Sequence, residues 1–169
     1  MGLLLNFTGN GKGKTTAALG MAVRSLGWGR RTAVLQFIKG GMETGELRFF
    51  RELNSPLLIF EQLGCGLTTG PGDHAAMARA GWRRAAELLS DSSLELLVLD
   101  ELNVALHHGY LDLAEVLAAL RRRPQQLDVA MTGRYAPPEL LNCCDLVTEM
   151  REEKHPFRIG IPASKGVEF

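Results

Sequence analysis

Thr8-Gly9-Asn10-Gly11-Lys12-Gly13-Lys14-Thr15-Thr16 sets three glycines among two lysines and a run of hydroxyls. Glycines let successive backbone amides turn inward with no Cβ in the way, and the amides then form a cradle for phosphate oxygens. Lys14 adds a compact positive charge to those oxygens, and the Thr15 hydroxyl suits Mg²⁺. Gly9, Asn10, Gly11, Lys12, Gly13, Lys14, Thr15 and Thr16 are therefore candidate nucleotide contacts. The strict P-loop pattern places glycine at position 8, where this chain has Thr8. A second cluster, Leu96-Leu97-Val98-Leu99-Asp100-Glu101, is four apolar residues followed by two carboxylates. A strand ending this way sets an acid beside the Mg²⁺ of a P-loop nucleotide, so Asp100 and Glu101 join Thr15 as metal candidates. Glu101 either reaches the ion through water or serves as a general base; the reaction decides which. A ligand-free glycine turn and a carboxylate that merely caps a helix are the plainer alternatives, and their joint occurrence weighs against both.

These residues need elements to hold them. Leu3–Thr8 reads as a strand entering the loop, and Lys14–Leu26 as a helix leaving it, stopped by Gly27 and Gly29. Thr32–Phe37, Leu57–Gln62, Leu94–Asp100, Leu127–Thr132 and Asp145–Met150 read as further strands. Helices are expected at Glu46–Leu53, at Asp73–Leu89 with Asp73 as its cap, and at Asp112–Arg121. Near-continuous apolar strands alternating with helices predict a mainly parallel sheet of about six strands covered on both faces. The expected fold is a three-layer α/β P-loop NTPase-like domain, a single one spanning residues 1–169. Arg151–Phe169, with Pro156 and Pro162, has no period and reads either as a disordered tail or as a strap over the site.

At 169 residues the chain has one domain's length, and 46% hydrophobic with 22% charged residues is a globular composition. Nineteen basic residues balance nineteen acidic ones. A nucleic-acid binder held by counterion release would show a basic excess, so no nucleic-acid partner is expected. No apolar stretch reaches membrane-spanning length and Leu3-Leu4-Leu5 is too short for a signal peptide, so a cytoplasmic protein is expected. Cys65, Cys143 and Cys144 make neither a disulfide framework nor a zinc spacing. His74, His107, His108 and His155 lack paired-ligand spacing and read as surface or capping residues. Arg121-Arg122-Arg123 reads as a solvated helix end, Cys143-Cys144 as helix-end packing, and Trp28 and Trp82 as packing residues.

Further along come Gln36-Phe37-Ile38-Lys39-Gly40, Leu99-Asp100-Glu101-Leu102, Thr132-Gly133-Arg134, Glu149-Met150-Arg151 with Lys154-His155, and a closing Gly166-Val167-Glu168-Phe169. Together with Asn10 and Lys12 inside the loop, these segments resemble the P-loop type of ATP:corrinoid adenosyltransferase, in order and over essentially the whole chain. The resemblance implies that Co(I) of a reduced corrinoid attacks the 5′ carbon of MgATP and that triphosphate leaves whole, in adenosylcobalamin synthesis or salvage. It also implies ATP lying along the loop in the reverse of the usual direction. Carried over by position, Lys14 and Arg134 contact phosphate and Glu101 stands on the Mg²⁺ side, which makes these three the catalytic candidates. An electron-donating reductase and a second copy of the chain are candidate partners. The cofactor's own metal is the nucleophile, so no Ser, Cys or Lys nucleophile is required, and none is read.

The same resemblance marks Gly66, Leu67, Thr68 and Thr69 as the corrinoid loop. Family members carry aromatics where this chain has Leu67 and Thr69. Either the corrinoid is handled differently here, or another ring substitutes, with Phe37, Trp82 and Tyr135 as candidates. Two rival functions stand beside adenosyl transfer. One is a P-loop NTPase or kinase in which Glu101 activates water or a hydroxyl; the other is a non-catalytic nucleotide- or corrinoid-binding regulator.

Overall fold

The computed structural model describes residues 1–41, 43–66 and 72–168. The apolar runs form strands β1 (Leu4–Thr8), β2 (Thr32–Gln36), β3 (Leu58–Gln62), β4 (Leu96–Asp100), β5 (Asp128–Thr132) and β6 (Leu146–Glu149). They lie in one sheet in the order β3-β2-β4-β5-β1-β6. Each neighbouring pair is parallel, so the sheet is more uniform than the mainly parallel one expected. The expected helices are α1 (Lys14–Gly27), α2 (Gly45–Leu53), α3 (His74–Leu88) and α5 (Leu113–Arg122). The structure adds α4 (Leu102–His107), α6 (Pro138–Asn142) and a 3-10 turn at Pro156–Ile159. At six and five residues, α4 and α6 are too short for an apolar period to declare itself.

Every residue of β1, β2 and β4 is buried, because helices cover both faces. Side chains alternate across each strand. Val34, Val98 and Ala130 pack with Ala18 and Ala22 of α1 and Phe50 of α2. Leu35, Leu97, Leu99 and Met131 face the other way, against α3, α4 and α5. Helix α1 buries Lys14, Ala18, Ala22 and Ser25, a stripe of mostly small residues spaced four, four and three apart. Small side chains on that stripe let the helix, and the loop before it, sit close to the central strands.

Asp73 caps α3 as expected, its carboxylate accepting from the Ala76 amide at 2.8 Å. Trp82 packs as expected and donates its indole N–H to Glu115 at 2.9 Å. Trp28 does not: α1 ends at Gly27, so the chain leaves the buried stripe that Ser25 closes, and the indole stands 83% exposed. Arg121 and Arg122 are solvated, but Arg123 is a tie, donating to the carbonyls of Leu120, Leu127 and Gly2. The Cys143 and Cys144 thiols both turn to the Leu140 carbonyl at the end of α6, and burial pushes the Cys144 thiol up to about 12. Among the described residues no helix is long and apolar enough to cross a membrane.

Edge strand β6 positions the phosphate loop. The Met150 amide donates to the Thr8 carbonyl at 2.9 Å, and the Gly11 amide donates to the Met150 carbonyl at 2.6 Å. Backbones approach so closely that a Cβ on Gly11 would lie 2.6 Å from the Arg151 carbonyl oxygen. Gly11→Ala should therefore destabilise the protein by about 1–3 kcal/mol, read from its urea midpoint. An unchanged midpoint would show that the loop is not braced there.

Candidate active site

Each central strand ends in a polar residue, and parallel pairing brings those ends together. Asp100 at the end of β4 has no solvent exposure. Its Oδ1 accepts from Thr15 Oγ1 of α1 at 2.8 Å and from Thr132 Oγ1 of β5 at 2.7 Å. Its Oδ2 accepts from Gln36 Nε2 of β2 at 3.0 Å. One carboxylate thus ties the first turn of α1 to three strands. Gln36 in turn accepts from Gln62 Nε2 at 3.0 Å, extending the chain of bonds to β3. Buried polar groups are tolerable only when paired, and here the pairing is complete: among the described residues no buried side-chain nitrogen or oxygen lacks a partner.

Glu101 follows Asp100 with φ 63°, in the left-handed region, while its amide donates to Thr132 Oγ1 at 2.9 Å. Burial first, and the Asp100 charge second, push its carboxyl up to about 7 against the attraction of Lys14, Lys39 and Arg134. Gly133 is what lets β5 pass this turn, having φ 129°; a Cβ there would lie 3.2 Å from Glu101 Oε2. Asn103 locks the same corner from α4, donating to Gly133 O at 2.9 Å and exchanging bonds with Asn6.

The glycine loop curls around Lys14. Its ammonium donates to the carbonyls of Gly9 at 2.9 Å and Gly11 at 2.6 Å, and burial lowers its pKa against the attraction of Glu101. Helix α1 begins after Gly13 with no acidic side chain in its first turn, so its free amides stand unopposed for an anion. A cleft of about 1000 Å³ opens over this helix start. Its cationic floor is Lys12, Lys14 and Arg134, and Leu19, Val23 and Phe49 form an apolar wall farther along α1 and α2. Lys39 pairs with Glu46 across it at 2.7 Å. Although burial alone would raise it, Glu46 is held below the usual carboxylate range by that ammonium.

The C-terminal segment lies on the cleft as a strap. Gly166, Val167 and Glu168 line it, and Glu168 forms an ion pair with the exposed Lys12. Arg134 also borders a second hollow of about 620 Å³ with Glu152, His155 and Arg158. His155 caps the 3-10 turn by accepting from the Phe157 amide at 3.1 Å.

Of the expected site residues, Gly11 to Thr16, Glu101 and Arg134 line the cleft, Gly9 and Asp100 are bonded to Lys14 and Thr15, and Asn10 is exposed in the loop. Of the residues expected in the corrinoid loop, Gly66 is described; Leu67, Thr68 and Thr69 lie outside the described residues. Gln36, Thr132, Lys39 and Glu46 were given no role by sequence reasoning. The readable signal for the first two is a polar residue closing an apolar strand. Cys65 Sγ lies 3.3 Å from His74 Nδ1, a pair that sequence spacing did not suggest, and neither residue lines the cleft. For Mg²⁺ the donors fit. Thr15 and two carboxylates are hard oxygen ligands, and no cluster of three or more His, Cys, Asp or Glu able to hold a metal occurs among the described residues. An ion shared with substrate phosphates needs no all-protein cage.

The chain is similar to known proteins over nearly its whole length. A family profile described as ATP:corrinoid adenosyltransferase BtuR/CobO/CobP matches residues 1–169. The corrinoid adenosyltransferase of Pseudomonas aeruginosa is 48% identical over 99% of this chain and 84% of its own length. That of Escherichia coli K12 is 41% identical over 99% of this chain and 86% of its own length. Among solved structures, the flagellar accessory protein FlaH of Methanocaldococcus jannaschii has a TM-score of 0.60 at 10% identity, over 87% of this chain and 70% of its own. The RadB recombinase has a TM-score of 0.52 at 14% identity, over 90% of this chain and 76% of its own. Those two likenesses concern the fold alone.

The raised Glu101 carboxyl has a measurable consequence for stability. Its folded pKa of about 7 exceeds the ordinary 4.5, so the folded protein holds this proton more tightly than the unfolded chain. Its contribution is fully favourable below about 4.5, falls as pH rises towards 7, and leaves a buried charge above that. Discounted for partial exposure, Glu101→Gln should stabilise the protein by about 2 kcal/mol at pH 8 and much less at pH 5. Urea unfolding at both pH values, without Mg²⁺ or nucleotide, checks this; equal shifts at the two would contradict it.

Proposed function

The chain belongs to the ATP:corrinoid adenosyltransferase family, and on that premise we propose how its own residues move the 5′-deoxyadenosyl group of ATP onto Co(I) of a reduced corrinoid. The cobalt electron pair forms the new bond to C5′, the C5′–oxygen bond to the α-phosphate breaks, and triphosphate departs with that electron pair. Cobalt, as substrate, is the nucleophile, so the protein has no covalent step to perform. Its work is to align C5′, exclude water and stabilise charge growing on the leaving group.

The observation that carries this reading is a buried Lys14 at an anion-ready helix start, fixed to the sheet through Thr15 and Asp100. In ordinary P-loop chemistry the γ-phosphorus is the target. Here the whole polyphosphate leaves, so the gathering of Lys14, Lys12, Arg134 and the loop amides serves the leaving group. We place triphosphate in that cradle in the reversed direction, with the ribose towards the open side. Mg²⁺, when held by Thr15 and the Asp100–Glu101 pair, supplies neutralising charge on the phosphate oxygens. Lys14 and Arg134 hold the leaving group, Glu101 keeps the ion side, and Gly66–Thr69 serves the corrinoid. The same proposal takes residues 1–169 as one working domain, located in the cytoplasm, acting as a homodimer and receiving electrons from a reductase, in adenosylcobalamin synthesis or salvage.

Supplying the protein with MgATP and chemically reduced corrinoid should yield inorganic triphosphate and a light-sensitive organocobalt product in equal amounts. ADP and phosphate in their place would overturn the assignment in favour of a hydrolase or kinase. Lys14→Ala should lower kcat by about 10²–10³-fold, the cost of removing one preorganised charge from a leaving group. Arg134→Ala should raise KM for ATP about tenfold, as for a lost charged contact. Near-normal constants in both variants would remove the assigned roles.

A further inference from the structure

The cleft accounts for ATP and leaves open what holds the corrinoid. Of the three rings that sequence offered in place of the absent aromatics, the structure removes two. Phe37 is 2% exposed and Trp82, on the buried face of α3, 4%, so both are locked in the core. Tyr135 is 54% exposed and lies on the backbone turn immediately after Arg134, with φ 62°. A non-glycine residue in that left-handed region is uncommon and marks a place where the surroundings over-determine the backbone. The phenol is not solitary. It stacks on His107 with centroids 4.3 Å apart and rings 29° from parallel. His107 meets His108 edge-on at 5.5 Å, and His108 lies 20° from parallel with Tyr110 at 5.3 Å. Tyr110 faces His74 at 6.5 Å and 13°, and His74 Nδ1 reaches Cys65 Sγ. The row therefore runs from Cys65, just before the Gly66–Thr69 loop, to Tyr135, next in the chain to a residue lining the ATP cleft.

Resting on the adenosyltransferase reading above, we propose that this row of rings is the seat of the corrinoid macrocycle. Among the described residues its steps are made by imidazole and phenol rings, so it gathers aromatic carbon with phenol and imidazole polar atoms at its rim. A corrin is a broad conjugated ring with methyl groups on its faces and amide side chains around its edge. The outward aromatic carbons take the macrocycle by apolar contact, and the polar rims donate to and accept from the amides. Both ends of the row fit the occupant: in the chain, Cys65 directly precedes the loop that the family resemblance assigns to the corrinoid, and Tyr135 directly follows Arg134, which lines the ATP cleft. The short α4 is what sets this up, because it ends at His107 and lets the chain turn back through Gly109 to Tyr110.

The test is a titration of the MgATP-loaded protein with cob(II)alamin, followed by visible absorption, for the wild type, Tyr135→Ala, His107→Ala and Tyr135→Phe. ATP affinity is measured separately by calorimetry. Each alanine variant should weaken cob(II)alamin binding about fivefold to tenfold, the worth of one stacked ring, with ATP affinity unchanged. Tyr135→Phe, which keeps the ring, should stay within about twofold of the wild type. Alanine variants that bind cob(II)alamin like a wild type still making the organocobalt product would overturn the ring seat and leave adenosyl transfer standing. A parallel loss of ATP affinity would also overturn it, marking a general disturbance of the site. A wild type that neither binds cob(II)alamin nor forms product would remove both readings.

Discussion

A single carboxylate with no solvent exposure organises the centre of this molecule. Asp100 accepts from Thr15, Thr132 and Gln36, which belong to the first helix and to strands on either side of its own. Any partner removed would leave a buried charge short of a hydrogen bond, a loss costlier than the bond's net worth. The arrangement therefore has one good solution, and that solution fixes the phosphate loop against the sheet. Placing the loop at the carboxyl ends of parallel strands also follows the general location of ligand crevices in open α/β sheets.

Adjacent carboxyl groups on one strand end meet different surroundings. Asp100 is surrounded by donors, whereas Glu101 turns through a left-handed backbone into a partly desolvated position beside it. Burial and the neighbouring charge raise Glu101 to about 7, while cations from the loop, from the turn after β2 and from the turn after β5 pull the other way. That balance leaves a carboxyl whose charge is decided by what else enters the site. A cation or a polyphosphate–metal complex arriving there finds a group ready to ionise.

The phosphate loop is also shaped by chain far from it in sequence. Met150 and Arg151 press on Gly9 and Gly11, and Glu168 reaches the loop lysine Lys12. An edge strand with exposed residues would ordinarily be a weak element, but here its end braces the glycine loop through backbone bonds to Thr8 and Gly11. The half-buried and exposed rings from His74 to Tyr135 give the molecule a second chemical character, aromatic where the phosphate loop is cationic. Polyphosphate and macrocycle make opposite demands on a surface, and the two regions meet at Arg134 and Tyr135.

Sequence alone determined the loop from Gly9 to Thr16, the Asp100-Glu101 strand end, the order of strands and long helices, and the family resemblance. These are local signals: a spacing of glycines, an apolar run, a helical period. It missed α4 and α6, which are shorter than a readable period, and read Trp28 as a packing residue although it stopped α1 at the glycine just before it, because residue type alone does not say which way a side chain leaves a helix end. The bonding of Gln36 and Thr132 to Asp100, the strap from Glu168 and the row of rings were decided only by tertiary structure. Each joins residues tens of positions apart, and such neighbours are set by the register of parallel strands and the side on which each helix crosses. No local pattern of residue types encodes that register; it emerges when the sheet closes around its buried polar centre.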